Sequence, residues 1–211
     1  ISDHHCTVML GVPSMYLALV RKEGNEVYDG SSLRTGIIGG SVITTEEYKE
    51  ICRRFPQAHL IPSFGMTEAS TSGSFSDWDN PLRSGEVTGG AFYEDTMARV
   101  RDIVTGEIVG WDTAADPVVN PDGTKKRVFG LPGELELAGF NIFKEYYKMP
   151  KETADTMTED GWLKTGDIGY FNEFDEICIT GRRKEMIIRS GENISPTKVD
   201  RKSGSAGMPR P

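Results

Sequence analysis

Apolar positions first gather in Thr7-Val8-Met9-Leu10-Gly11-Val12-Pro13, a short run closed by Gly and Pro that predicts a buried strand. Ser14–Arg21 follows with good helix formers, a Ser suited to the N-cap and a basic end, so a helix is expected next. Gly24–Asp29 interrupts it, and Leu33–Gly40 returns to a short apolar strand that ends in Gly39-Gly40-Ser41. Glu46 and Glu47 favour a helix from Thr45 to about Phe55, because negative charge is stabilised at a helix N-terminus. Ala58–Ser63 is the next strand. This alternation predicts a parallel sheet with crossover helices, in which ligands sit at the carboxyl ends of the strands.

From Asp77 to Gly133 the pattern changes to short strand candidates, such as Ala98–Val104 and Val118–Val119, between Gly and Pro turns. That punctuation predicts a β-rich subdomain, barrel-like or sandwich-like. Asn120-Pro121-Asp122-Gly123 with Lys125-Lys126-Arg127 is expected to be an exposed hairpin tip whose charges face solvent. Glu134–Gly139 alternates with period two, as a half-buried strand should. A short helix over Lys151–Thr156 and a turn at Glu159–Trp162 lead into a strand closed by Thr165-Gly166-Asp167. Ile168–Phe171, an Asn172–Asp175 turn and Glu176–Thr180 then predict a β-hairpin. Arg201–Pro211 holds almost nothing apolar and is expected to be disordered or foreign to the fold.

Composition narrows the function classes. The chain of 211 residues carries 24 basic and 32 acidic side chains, a net charge of −8, which argues against a general nucleic-acid or anionic-membrane surface. A local basic site remains in Arg182–Arg189, with four basic residues and one acidic. No apolar run approaches the roughly 20 residues that span a bilayer, and the first residues lack the order of a signal peptide. A cytoplasmic location is therefore expected, with organelle targeting left open because Ile1 reads as the interior of a longer protein. Cys6, Cys52 and Cys178 are odd in number and widely spaced, so reduced core thiols are expected rather than disulfides or a zinc site. Asp3-His4-His5-Cys6 is set aside as a metal cluster, since adjacent side chains do not converge and no second ligand group follows.

Two stretches carry candidate chemistry. Thr165–Pro196 places a Gly-preceded carboxylate before the hairpin, a basic cluster after it and a Ser-Gly turn beyond, which together suit a sugar hydroxyl pair and anionic phosphates. Ser63–Ser74, at the carboxyl end of a predicted strand, is dense in hydroxyls and Gly, with the single carboxylate Glu68. It offers N–H groups and hydroxyls for phosphate, a flat ring for a base and an acid for Mg²⁺. Taken alone it reads first as a solvated, hydroxyl-rich turn.

Taken in order, Phe64-Gly65-Met66-Thr67-Glu68, Gly133-Glu134-Leu135, Tyr147, Asp160–Asp167 and Gly181–Pro196 resemble the adenylate-forming (AMP-binding) superfamily. That superfamily comprises acyl-CoA synthetases, luciferases and the adenylation domains of peptide synthetases. The resemblance runs from about Thr7 to Val199, and Ser190-Gly191-Glu192-Asn193-Ile194-Ser195-Pro196 looks most like acyl-CoA synthetases. It implies a partial adenylate-forming α/β fold with part of the α/β subdomain over 1–75 and a β-rich subdomain over 76–181. A hinge and the start of a small C-terminal domain would occupy 182–200, and a divergent tail 201–211.

The resemblance also implies an activity. Family members activate a carboxylic acid with Mg·ATP to an acyl-adenylate, release pyrophosphate and pass the acyl group to a thiol, commonly that of coenzyme A. By resemblance Phe64-Gly65-Met66-Thr67 would border the nucleotide, with Phe64 packing on adenine and Thr67 contacting phosphate. Glu68 would help hold Mg²⁺, Asp167 would accept hydrogen bonds from the ribose hydroxyls of ATP or AMP, and Arg182 would reach ribose or phosphate. Lys184 would be the hinge, Ser190-Gly191-Glu192 would border the thiol tunnel, and Gly39-Gly40-Ser41 would line the acyl pocket and touch adenine. A Pro that usually follows that last segment is absent, as are the family's Lys-bearing phosphate loop upstream and its catalytic Lys downstream. The chain is thus expected to be a fragment of an acyl-CoA synthetase. An amino-acid-activating domain that delivers to a carrier protein, or a catalytically inactive AMP-binding relative, are the alternatives.

Overall fold

The computed structural model describes residues 1–21, 29–71, 73–111, 129–185, 187–189 and 192–194. The expected 118–119 strand, the 120–127 tip, most of the 24–29 break, Gly191 and the 201–211 tail lie outside them.

Strands β1 (Val8–Gly11), β2 (Thr35–Ile38) and β3 (His59–Phe64) run parallel, connected by helices α1 (Pro13–Val20) and α2 (Thr45–Arg54) in the expected order. α1 starts one residue before the expected Ser14: Pro13 sits in its first turn and Val12 is an N-cap without a side-chain bond. The preset φ of Pro suits that position, where its missing N–H costs no helical bond. α2 is fastened by a reciprocal cap in which Glu47 N–H donates to Thr44 Oγ1 at 3.2 Å and Thr44 N–H donates to Glu47 Oε2 at 3.0 Å. Its buried residues Tyr48 and Ile51, with Phe55 just past its end, follow an i, i+3, i+7 stripe and pack on Tyr16, Leu33, Ile38 and Leu60. The two phenols in that core are satisfied by the sheet, Tyr16 Oη donating to Met9 O at 2.7 Å and Tyr48 Oη to Leu60 O at 2.6 Å. β4 (Ser74–Phe75) and β5 (Ala91–Phe92) extend the sheet antiparallel.

A second, antiparallel sheet follows the order β10-β9-β8-β6-β7, with β6 (Thr96–Arg101), β7 (Ile108–Trp111), β8 (Gly133–Gly139), β9 (Leu163–Phe171) and β10 (Ile177–Arg182). Helix α3 (Pro150–Thr156) lies between β8 and β9 in sequence. The expectation of a half-buried β8 is corrected, because both faces are covered and Glu134 and Glu136 are 5% and 0% exposed. Buried carboxylates persist only when paired, and Glu136 accepts from Arg99 Nε at 2.5 Å and Arg101 Nε at 2.7 Å. Arg99 also donates to both Asp160 oxygens, at 2.7 and 3.0 Å, and lies 4.2 Å over the Trp162 ring. The Asp160-Gly161-Trp162 turn is thereby tied to the sheet.

β9 corrects a second expectation, since Thr165-Gly166-Asp167 does not end a strand. Glu136 pairs with Lys164 and Glu134 with Ile168, so these three residues stand opposite Leu135 alone as a bulge inside a continuous strand. Gly166 has φ +73°, which a side chain would strain. Thr165 Oγ1 locks the bulge by donating to Leu135 O at 2.9 Å and accepting Asp167 N–H at 3.0 Å. A bulge re-aims the side chain it carries, and here that side chain is Asp167. The expected hairpin closes at Asn172–Asp175, where Asp175 N–H donates to Asn172 O at 3.0 Å.

The core of the second sheet includes Ala98, Val100, Leu135, Leu137, Leu163, Phe171 and Ile177, and Phe64 and Phe92 of the first sheet pack against it. The sheets are also joined by backbone bonds, Gly89 N–H to Ile177 O at 2.7 Å and Ile177 N–H to Gly90 O at 2.9 Å. Past β10 comes a small antiparallel pair, β11 (Ile187–Arg189) and β12 (Glu192–Ile194). All three cysteines are free, but only Cys178 is the expected core thiol; Cys6 and Cys52 are half-buried. Among the described residues no helix is long and apolar enough to cross a membrane.

Candidate nucleotide-binding cleft

A cleft of about 340 Å³ opens where β2 and β3 end, the position expected for a ligand in a parallel sheet. One wall is built from Gly40, Ser41, Phe64 and Gly65, the other from Asp167 and Arg182 on the second sheet. These six are sequence-predicted site residues that the fold brings together. Gly39 lies just outside the lining, where a Cβ would sit 3.0 Å from Ser63 O, a tight contact that glycine relieves where the two strand ends approach. Gly40 has φ +80° and turns the chain into the cleft wall.

Asp167 is 5% exposed, and its Oδ1 lies 3.0 Å from Nε of Arg182, its direct partner on β10. Burial raises the Asp167 carboxyl above the usual range; Arg182 opposes this, and the carboxylates of Glu185 and Glu134 reinforce it. The result is a desolvated acceptor held against one cation. The Arg182 side chain is 64% exposed, which leaves guanidinium N–H groups for an anion in the cleft. Arg183, next in the chain, pairs instead with buried Glu134, and Lys184 is exposed in the single turn Arg183–Glu185 that follows β10.

Met66, Thr67 and Glu68 stand outside the cleft lining. Thr67–Ala69 forms one tight turn after β3, with Thr67 exposed, Glu68 half-buried and Met66 packed on the second core. Glu68 Oε1 accepts a 2.6 Å hydrogen bond from Tyr146 Oη, and that bond, with burial, raises the Tyr146 phenol. Tyr146 was missed in the sequence. The motif pointed to its neighbour Tyr147, which is 82% exposed, and alternation along an irregular loop cannot tell which ring faces inward. Thr88 and Glu185 also line the cleft unannounced, Thr88 donating to buried Glu176 at 3.1 Å.

Among the described residues no group of three or more His, Cys, Asp or Glu could hold a metal. Mg²⁺ commonly takes one or two carboxylates and completes its octahedron with phosphate oxygens and water, so Glu68, with one oxygen free of Tyr146, fits it as a single protein ligand.

Parallel strands that end in a glycine-lined cleft, faced by an antiparallel sheet bearing a buried acid and an exposed arginine, define an α/β protein with a cleft at its strand ends. The chain belongs to the AMP-binding enzyme family, whose family model matches residues 1–147. It is similar to the acyl-CoA ligase SID4 of Ajellomyces capsulatus, 33% identical over 204 residues covering 95% of this chain and 32% of the relative. It is likewise similar to 4-coumarate–CoA ligase 3 of Arabidopsis thaliana, 33% identical over 204 residues with 95% and 33% covered. Among solved structures, ATP-bound MatB from Rhodopseudomonas palustris matches with a TM-score of 0.72 and 25% identity, covering 98% of this chain and 37% of that one. The chain spans about a third of the length of the curated relatives it matches.

Proposed function

We propose that the chain is the nucleotide-binding part of an AMP-forming acyl-CoA synthetase. In that reaction a carboxylate oxygen attacks the α-phosphate of Mg·ATP and pyrophosphate leaves; the thiol of coenzyme A then displaces AMP from the acyl-adenylate. The observation that carries this reading is Asp167, aimed by the Thr165–Asp167 bulge into a cleft whose far wall is Gly40, Ser41, Phe64 and Gly65.

Adenine would lie between Phe64 and the Gly39-Gly40-Ser41 turn, and Asp167 would accept both ribose hydroxyls as a desolvated carboxylate. Arg182 would reach ribose or phosphate while holding Asp167 in place. Gly65, Met66 and Thr67 would follow the phosphates past the cleft mouth, and Glu68 would offer one oxygen to Mg²⁺, which supplies charge neutralisation on the phosphates when bound. Lys184, exposed at the end of β10, would be the pivot between the β-rich part and a C-terminal domain, with Gly191 at the thiol tunnel. Relatives named as CoA ligases and an ATP-bound structural neighbour support the same chemistry.

Isothermal titration of the 211-residue chain with AMP and ATP tests this. AMP binding that Asp167→Ala weakens supports the cleft, whereas a folded chain that binds neither nucleotide overturns it. AMP binding without pyrophosphate release from ATP and a carboxylic acid would keep the site and remove catalysis from this chain.

A further inference from the structure

We infer that Tyr146 is a positioning residue for a magnesium–nucleotide complex, acting through Glu68; the inference rests on the magnesium role proposed for Glu68. Tyr146 Oη donates to Glu68 Oε1 at 2.6 Å, across 78 positions of sequence. A phenol has one proton to give, so this bond occupies one carboxylate oxygen and fixes the plane of the group, turning the other oxygen into a directed cation ligand. An unrestrained glutamate has to freeze its side-chain rotamers when it coordinates, at a cost in affinity.

Both ends of the bond are themselves held. On the Glu68 side, Phe143 N–H donates to Glu68 O at 2.8 Å, Ser70 Oγ donates to Asn141 O at 2.8 Å, and Asn141 Nδ2 donates to Ala69 O at 3.3 Å. On the other side, Tyr146 N–H donates to Thr153 Oγ1 at 3.0 Å, and its ring stands edge-on to Phe143 with centroids 4.7 Å apart. The turn at 67–70 and the loop at 141–146 are thus clamped by one backbone bond and two side-chain-to-backbone bonds, none of which involves the phenol oxygen. Such outer partners of a ligand are worth roughly 10–100-fold in metal affinity. The phenol oxygen also shares a side-chain hydrogen bond with Thr156, and the ring packs on Phe143, so Tyr146→Phe keeps the packing and removes only the bonds of the hydroxyl.

The test is Mg²⁺ titration of ATP binding to the full chain, with AMP as the metal-independent reference, followed by Mn²⁺ paramagnetic resonance. Tyr146→Phe keeps the ring and is expected to leave AMP affinity within about twofold while raising the Mg²⁺ midpoint for ATP roughly tenfold. In a Glu68→Gln background the same change is expected to add nothing, since the ligand it orients is gone. An unchanged Mg²⁺ midpoint in Tyr146→Phe overturns the inference and leaves the nucleotide cleft standing. Equal losses of AMP and ATP affinity with a lowered unfolding midpoint assign Tyr146 a purely structural role and also overturn it. A wild-type chain that binds AMP but shows no Mg²⁺ dependence with ATP overturns both the inference and the magnesium role of Glu68.

Discussion

Asp167→Asn separates the work of the cleft from the stability of the fold, because the two should move in opposite directions. The substitution keeps shape and removes charge from a side chain that is 5% exposed and sits 3.0 Å from Arg182. For binding, hydrogen bonds to a charged group are worth about 1.5–3 kcal/mol, so losing the anion facing two ribose hydroxyls should weaken AMP by about 10- to 150-fold at 1.36 kcal/mol per tenfold. For folding, burial raises the carboxyl despite Arg182, so folding favours the protonated form. That contribution is complete below the unfolded value near 3.9 and is lost as pH rises through the raised folded value. At pH 7 the ionised carboxylate therefore costs stability that Asn does not. Urea unfolding at pH 7 should show the variant at least as stable as wild type, with the difference shrinking as pH falls toward 4, while calorimetry shows the loss of AMP affinity. AMP affinity within twofold of wild type would refute the ribose role. A variant less stable at pH 7 than at pH 4, relative to wild type, would refute the electrostatic reasoning.

Other perturbations test the frame that holds the cleft. Glu136→Ala leaves Arg99, which is 4% exposed, with Asp160 as its carboxylate partner and takes the carboxylate from Arg101, so a loss toward the low end of about 3–5 kcal/mol is expected in urea unfolding; a loss below about 1 kcal/mol would place the network with weak surface pairs. Gly90→Ala would set a Cβ 1.7 Å from the Phe75 carbonyl carbon at φ +87°, so soluble folded protein should fall sharply. Gly106→Ala is its control: φ is +75° with nothing within 4 Å, so only the left-handed backbone penalty of about 1–2 kcal/mol is expected in thermal unfolding.

The alternation of β1, α1, β2, α2 and β3 was legible from the chain because each element follows from local apolar runs, helix formers and the Glu46 and Glu47 charges at a helix start, whereas Pro13 as the first helical residue and the Thr44–Glu47 cap emerged only in the fold. The hairpin at Asn172–Asp175 was equally legible, since turn chemistry sits in adjacent residues. Gly39 to Ser41, Phe64, Asp167 and Arg182 could be picked out as types suited to a nucleotide, but not their arrangement. Asp167 was read at a strand end because the bulge that aims it exists only when Leu135 alone faces Thr165, Gly166 and Asp167, a fact of strand register. Glu136 was read as a solvent-facing alternate because its partner Arg99 lies 37 positions away, and the Asp160 that completes Arg99's pairing lies 61 from it. Tyr147 drew the eye where Tyr146 makes the bond. Local pattern sets which residues are available, whereas the direction each points and the charges that permit its burial come from chain segments that meet only in the folded protein.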